Sequence, residues 1–369
     1  MKQLRVLVVE DSLTVRKRLC EILEEEPDVI VVGEAADGKQ AIELCQALRP
    51  DVISMDMMLP IMTGLAATEY IMAHCPTPIL VVSASMNRGE LFRTYDAVAA
   101  GAVDMMEKPR ADDDGSWEKR YMATLRLVAR VPVITHLKAR VGARAASAPQ
   151  TQPGGLAPLS SPPAAPAGRA RCSLIALGAS TGGPGALVDV LGALPKRLHV
   201  PVLVVMHINE PFAAAFSDWL DAQTPHRVSY ARDGESLAAC AGRVLLAPAD
   251  RHMIVQSGLI RLTEAPPRHS CRPSVDALFD SVAAEVGSRA AAALLTGMGR
   301  DGATGLLAIR RAGGATIAQD EASSVIYGMP REAVLLGAAE RVLPLDQIGS
   351  SLSVLCGVPP ESPLGSPNP

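Results

Sequence analysis

Residues 138–171 decide how the rest of this 369-residue chain can fold, because KARVGARAASAPQTQPGGLAPLSSPPAAPAGRAR holds six prolines and no acidic residue. A segment of that composition cannot build a packed core and reads as a partly extended linker. Two folding units remain, at about 1–125 and 171–360, each long enough to bury a core. Residues 126–170 are then a helical extension plus the linker, and ESPLGSPNP at 361–369 is a disordered tail.

Composition narrows the function classes. The chain is 48% hydrophobic and 20% charged with a formal net charge of -4, so it has no basic excess to hold nucleic acid or anionic lipid. Apolar runs such as VPVLVVM stop far short of the ~20 residues a bilayer span needs. Acidic residues interrupt MKQLRVLVVEDS, so it does not read as a signal peptide. A cytoplasmic protein without membrane insertion is expected. The seven cysteines are scattered with no C-x-x-C pair, so the sequence indicates neither a disulfide framework nor a zinc site and predicts mostly buried, reduced thiols.

In the first unit five short apolar segments read as strands: QLRVLVVE, VIVVGEA, DVISMD, PILVVSAS and AVDMMEK. VRKRLCEILEEE and KQAIELCQALR between them repeat apolar residues at helical spacing. The predicted fold is α/β, a doubly wound parallel sheet, and such sheets place their sites at the carboxyl ends of the strands. Those ends carry Glu10 and Asp11, Asp56, Ser83 and Lys108. Taken singly, each carboxylate reads as a solvated loop residue. Three together repel one another unless a cation sits between them, and an oxygen-only donor set suits Mg2+.

These residues, in the order VVEDS, MDMMLPIMTG, VSAS and EKP, closely resemble the receiver domain of bacterial response regulators, a flavodoxin-like fold. The resemblance implies that Asp56 accepts a phosphoryl group from a histidine kinase, that Glu10, Asp11 and Asp56 hold Mg2+, and that Ser83 and Lys108 contact the phosphoryl oxygens. Two positions depart from the family pattern. Leu59-Pro60 replaces Met-Pro, a near-isosteric apolar change, and Met105 stands where receivers often carry a switch aromatic.

In the second unit three strand ends carry reactive types: LIALGA runs into Ser180, VPVLVVMH ends at His207, and AAALLTGMGRD leads to Asp301. A hydroxyl, an imidazole and a carboxylate at neighbouring strand ends are the parts for acyl transfer. G-A-S-T-G matches the nucleophile turn G-x-S-x-G, whereas a dinucleotide loop wants glycine where Ser180 stands. A glycine-flanked serine after a strand also occurs in plain turns and phosphate loops, so a non-hydrolytic nucleotide- or protein-binding module is the open alternative.

GASTGGPGAL, VVMHI, APADRHM, RPSVDALF, LLTGMGRDGATGL and AQDEASSVIYGMPREA together resemble the effector domain of the CheB family of chemotaxis methylesterases and deamidases. The resemblance implies a Rossmann-like α/β methylesterase domain with Ser180 as nucleophile, His207 as general base, Asp301 as its partner, and an oxyanion hole at Thr181 and Met298. It also implies no cofactor at the esterase site. The implied substrates are glutamyl methyl esters and glutamines on chemoreceptor cytoplasmic domains, of a motility or a parallel pathway. The implied phosphodonor is a histidine kinase of CheA type.

Overall fold

The computed structural model describes residues 3–84, 87–109, 115–131, 133, 171–208 and 210–357. The expected linker at 138–170 and tail at 361–369 lie outside them. The chain divides into two compact units, Met1–Leu159 and Ser160–Pro369.

The first unit alternates β1 (Leu4–Val9), α1 (Leu13–Glu24), β2 (Val29–Ala35), α2 (Gly38–Leu48), β3 (Val52–Met55), α3 (Gly64–His74), β4 (Ile79–Ser83), α4 (Arg88–Ala99), β5 (Asp104–Glu107) and α5 (Ser116–Val128). All five predicted strands are present, and α5 runs past the expected boundary at 125. Local chemistry starts the helices: the side-chain oxygens of Ser12, Asp37, Thr63 and Asn87 cap α1 to α4 by accepting from amides three residues on. The sheet is parallel, in the order β2-β1-β3-β4-β5. Chain order therefore reverses between β1 and β3, which puts the crevice beside the ends of those strands. Leu59 is buried in the apolar cluster, and Met105 packs partly against it.

The second unit comprises β6 (Leu174–Ala179), α6 (Gly183–Gly192), β7 (Val202–Met206), α7 (Glu210–Gln223), β8 (Arg227–Tyr230), β9 (Arg243–Leu246), β10 (His252–Gln256), β11 (Leu259–Thr263), α8 (Val275–Glu285), β12 (Ala290–Leu294), α9 (Ala303–Arg311), β13 (Ala315–Gln319), α10 (Met329–Leu335), β14 (Arg341–Leu343) and α11 (Leu345–Leu355). Seven strands form a parallel sheet in the order β14-β13-β12-β6-β7-β9-β8, and β10 and β11 form a separate antiparallel hairpin. β12 reads AAAAL, a strong helix former by propensity, yet every residue is buried in extended backbone between β6 and β13. Burial on both faces of a central parallel strand outweighs local preference there. β6 leads to β7 on one side and lies against the later β12 on the other, so the switch point falls at the carboxyl end of β6.

Candidate functional site

Ser180 follows β6 at that switch point, with its amide donating to the carbonyl of Thr296 beyond β12 at 3.0 Å. His207 follows β7, its amide donating to the carbonyl of Ala179 at 3.0 Å. The turn after Ser180 needs glycine at 182, where φ is +77° and a Cβ would sit 2.5 Å from that of Val325. The loop after β12 runs flush against the serine: a Cβ on Gly297 would lie 2.7 Å from Cβ of Ser180.

Asp301 closes that loop just before α9 and is 2% exposed. Its carboxylate is saturated. Oδ2 accepts from His207 Nε2 at 2.9 Å and the Val275 amide at 2.7 Å, while Oδ1 accepts from the Ser274 hydroxyl at 2.7 Å and the Asp276 amide at 3.1 Å. Three of the four donors come from the start of α8, whose N-terminus favours a carboxylate. Burial acts to raise the Asp301 carboxyl, but the hydrogen bonds from His207, Ser274 and the amide of Asp276 outweigh it and hold it below its usual value. Burial likewise acts to lower His207, yet Asp301 and the Cys271 thiol push the imidazole up to about 9.

With Nε2 committed to Asp301, Nδ1 is the nitrogen of His207 that keeps a lone pair. Among the described residues its polar neighbour is Cys271 Sγ at 3.8 Å. Among the described residues no hydrogen bond joins Ser180 Oγ to His207.

Thr181 and Met298 sit on the two loops that flank Ser180, Met298 being 60% exposed. Thr296 ties those loops together. Its hydroxyl lies 3.0 Å from the Thr181 carbonyl and 3.3 Å from that of Ile326, and accepts from the Ile326 amide at 2.9 Å.

In the first unit Glu10, Asp11 and Asp56 converge, one carboxylate oxygen of each lying within 4.8 Å of the others. Lys108 Nζ reaches Asp56 Oδ2 at 2.9 Å and Glu10 Oε1 at 2.9 Å. Glu10 Oε2 lies 2.8 Å from the same ammonium but off the direction of a hydrogen bond, so it is buried without one, as is the hydroxyl of Ser83. Desolvation is the main cause pushing Glu10 up to about 7. Two buried carboxylates, Glu10 and Asp56, beside the exposed Asp11, with a Glu10 oxygen that no hydrogen bond satisfies, fit a hard divalent cation open to solvent on one side.

Residues 175–352 match the CheB methylesterase family, and residues 6–115 match the response regulator receiver domain. The chain is 43% identical to the protein-glutamate methylesterase/protein-glutamine glutaminase 2 of Anaeromyxobacter dehalogenans, over 96% of this chain and 97% of that protein. It is 44% identical to the protein of the same name from Pseudomonas aeruginosa, over 94% and 95%. The crystal structure of the Thermotoga maritima CheB methylesterase catalytic domain is 34% identical, with a TM-score of 0.48, over 50% of this chain and 100% of that one. The chain belongs to the CheB methylesterase family.

In this CheB-family chain, sequence reasoning brings out Ser180, His207 and Asp301 but misses what holds them. Ser274 and Thr296 carry no signal of their own, since their partners lie 27 and 115 residues away. Asp276 anchors a second pair: it accepts from Thr304 and the Gly305 amide, and its Oδ2 lies 3.0 Å from His269 Nε2.

Proposed function

We propose that this chain is a phosphorylation-activated hydrolase that removes methyl esters from glutamyl side chains of chemoreceptors and deamidates receptor glutamines. The observation that carries the reading is the His207–Asp301 pair at 2.9 Å, its carboxylate held by three further donors, at strand ends adjoining Ser180. In this reading Ser180 Oγ attacks the side-chain acyl carbon while His207 Nδ1 takes its proton. The backbone amides of Thr181 and Met298 receive the oxyanion, and the imidazolium protonates departing methanol or ammonia. Water, deprotonated by His207, then releases the acid and frees the serine. The relatives' names, which pair esterase and glutaminase, support both substrates.

Asp56 is the proposed phosphoacceptor, with a histidine kinase as donor, in the cytoplasm; among the described residues no helix is long and apolar enough to cross a membrane. Glu10, Asp11 and Asp56 would hold Mg2+, which supplies charge neutralisation as phosphate approaches the carboxylates. Ser83 and Lys108 would contact the phosphoryl oxygens, Lys108 exchanging a contact with Asp56 that it already makes. The test is a methanol-release assay on methylated receptor with and without a phosphodonor; release that a phosphodonor does not raise would contradict the regulation, and no release would contradict the esterase.

A further inference from the structure

Cys271 stands apart from most of the other thiols. Five of the seven cysteines are buried, whereas Cys271 and Cys356 are partly exposed, and of these two Cys271 lies on the short segment that faces His207. That segment is tightly built. Arg268 and Cys271 exchange backbone hydrogen bonds of 2.8 and 3.1 Å around His269 and Ser270, both at positive φ, and His269 is pinned to the buried Asp276. The thiol is therefore held where it is by the fold. Positive φ in two non-glycine residues persists only where the surroundings enforce it.

The distance itself is informative. Zinc binds thiolate at about 2.3 Å and imidazole nitrogen at about 2.0–2.1 Å, which at tetrahedral to trigonal angles separates sulfur from nitrogen by roughly 3.6–3.8 Å. Cys271 Sγ and His207 Nδ1 are 3.8 Å apart. The other ring nitrogen already donates to a carboxylate, the outer arrangement that orients a metal-bound histidine and leaves its second nitrogen with a lone pair. Asp301 lies in the same cluster, but all its bonds are made, so it serves as that outer partner rather than as a ligand. A sulfur and an imidazole favour a thiophilic divalent ion over Mg2+ or Ca2+.

We infer that Cys271 and His207 Nδ1 form a chelating pair for Zn2+ or a similar thiophilic divalent ion, and that metal seated there switches the esterase off. The consequence for activity rests on the proposed hydrolase reading: a nitrogen bound to metal cannot take the proton of Ser180. The thiol gives up its proton to solvent as the metal–sulfur bond forms, and no redox step is involved.

Two readouts on the full chain separate the site from the activity. With Co2+ as probe, a thiolate-to-metal charge-transfer band is expected in the wild type and in Cys356→Ser but not in Cys271→Ser or Cys271→Ala, and weakened in His207→Asn. The carboxylate trio of the first unit has no sulfur to give such a band. With Zn2+ at ten times its dissociation constant and Mg2+ held constant, about a tenth of the metal-free esterase rate should remain in the wild type. Cys271→Ser should keep its own metal-free rate within about twofold, as expected when little metal is bound. A band that survives both Cys271 substitutions would overturn the site, and equal inhibition of Cys271→Ser would overturn the switch. If no esterase activity is found, the band alone still decides the chelating pair.

Discussion

Replacing Asp301 by asparagine separates the two things its carboxylate does. The amide can lie in two ways. With its oxygen in the place of Oδ2 it still accepts from His207 and the Val275 amide, while its NH2 group meets the Asp276 amide and the Ser274 hydroxyl, which can rotate to accept. The reverse orientation would leave the Val275 amide unpaired and force His207 to accept at Nε2, moving its proton to Nδ1. The first is preferred because it disturbs fewer groups. One buried N–H is then unpaired, costing about 1–3 kcal/mol of stability. The imidazole keeps its tautomer but loses its anionic partner. Its net rise from 6.5 to about 9, made by Asp301 and the Cys271 thiol together against burial, is worth about 3 kcal/mol at 1.36 kcal/mol per pH unit, and the hydrogen bond with Asp301 is the largest upward contribution. Asp301→Asn should therefore lower kcat for methanol release by about 100-fold when both proteins are assayed above pH 9, where the imidazole is neutral in each, together with a lower melting temperature. A loss of ~10^4-fold would mean that the wrong tautomer forms and would refute this orientation of the amide. A loss under about threefold would remove Asp301 from the mechanism.

Four other outcomes follow. In the proposed mechanism His207 must be neutral to act as base, so kcat/KM should climb about tenfold per pH unit up to about 9 and then level; a plateau already reached at pH 7 would contradict the pairing. The same raised imidazole contributes stability that is fully present below its unfolded value and fades as pH rises through about 9, so thermal unfolding should show a loss across that window. Gly297→Ala would press a methyl into Ser180 and Met329 Sδ, and should cost about 100-fold in rate with about 1–3 kcal/mol of stability; wild-type turnover would show that the loop does not position the serine. Asp56→Asn should abolish labelling by a phosphodonor, and excess EDTA should do the same to the wild type; stable label in either case would misplace the phosphoacceptor.

The first sheet was legible because most of its strands are short apolar runs between turn signals, and in the second unit so were the three strands that deliver Ser180, His207 and the loop to Asp301; β8 (RVSY) and β14 (RVL) are too short and too polar to be read that way. The alanine run of β12 is extended only because of its neighbours, yet LLTGMGRD after it still pointed to Asp301. The β10–β11 hairpin was not expected: HMIVQ sets three apolar residues in a row instead of an alternation. The cradle of Asp301 was not legible, since it is made by backbone amides of α8, and amides have no sequence signature. Nor was Cys271: it lies 64 residues from His207, and metal-site spacing is recognised in sequence only when ligands cluster.

The most direct test of the central claim is methanol release from methylated receptor by the full chain with phosphodonor, wild type against Ser180→Ala. The account predicts a drop of ~10^4-fold or more, since loss of the nucleophile disables the whole unit. A Ser180→Ala protein retaining more than about a tenth of wild-type turnover would contradict a covalent serine mechanism.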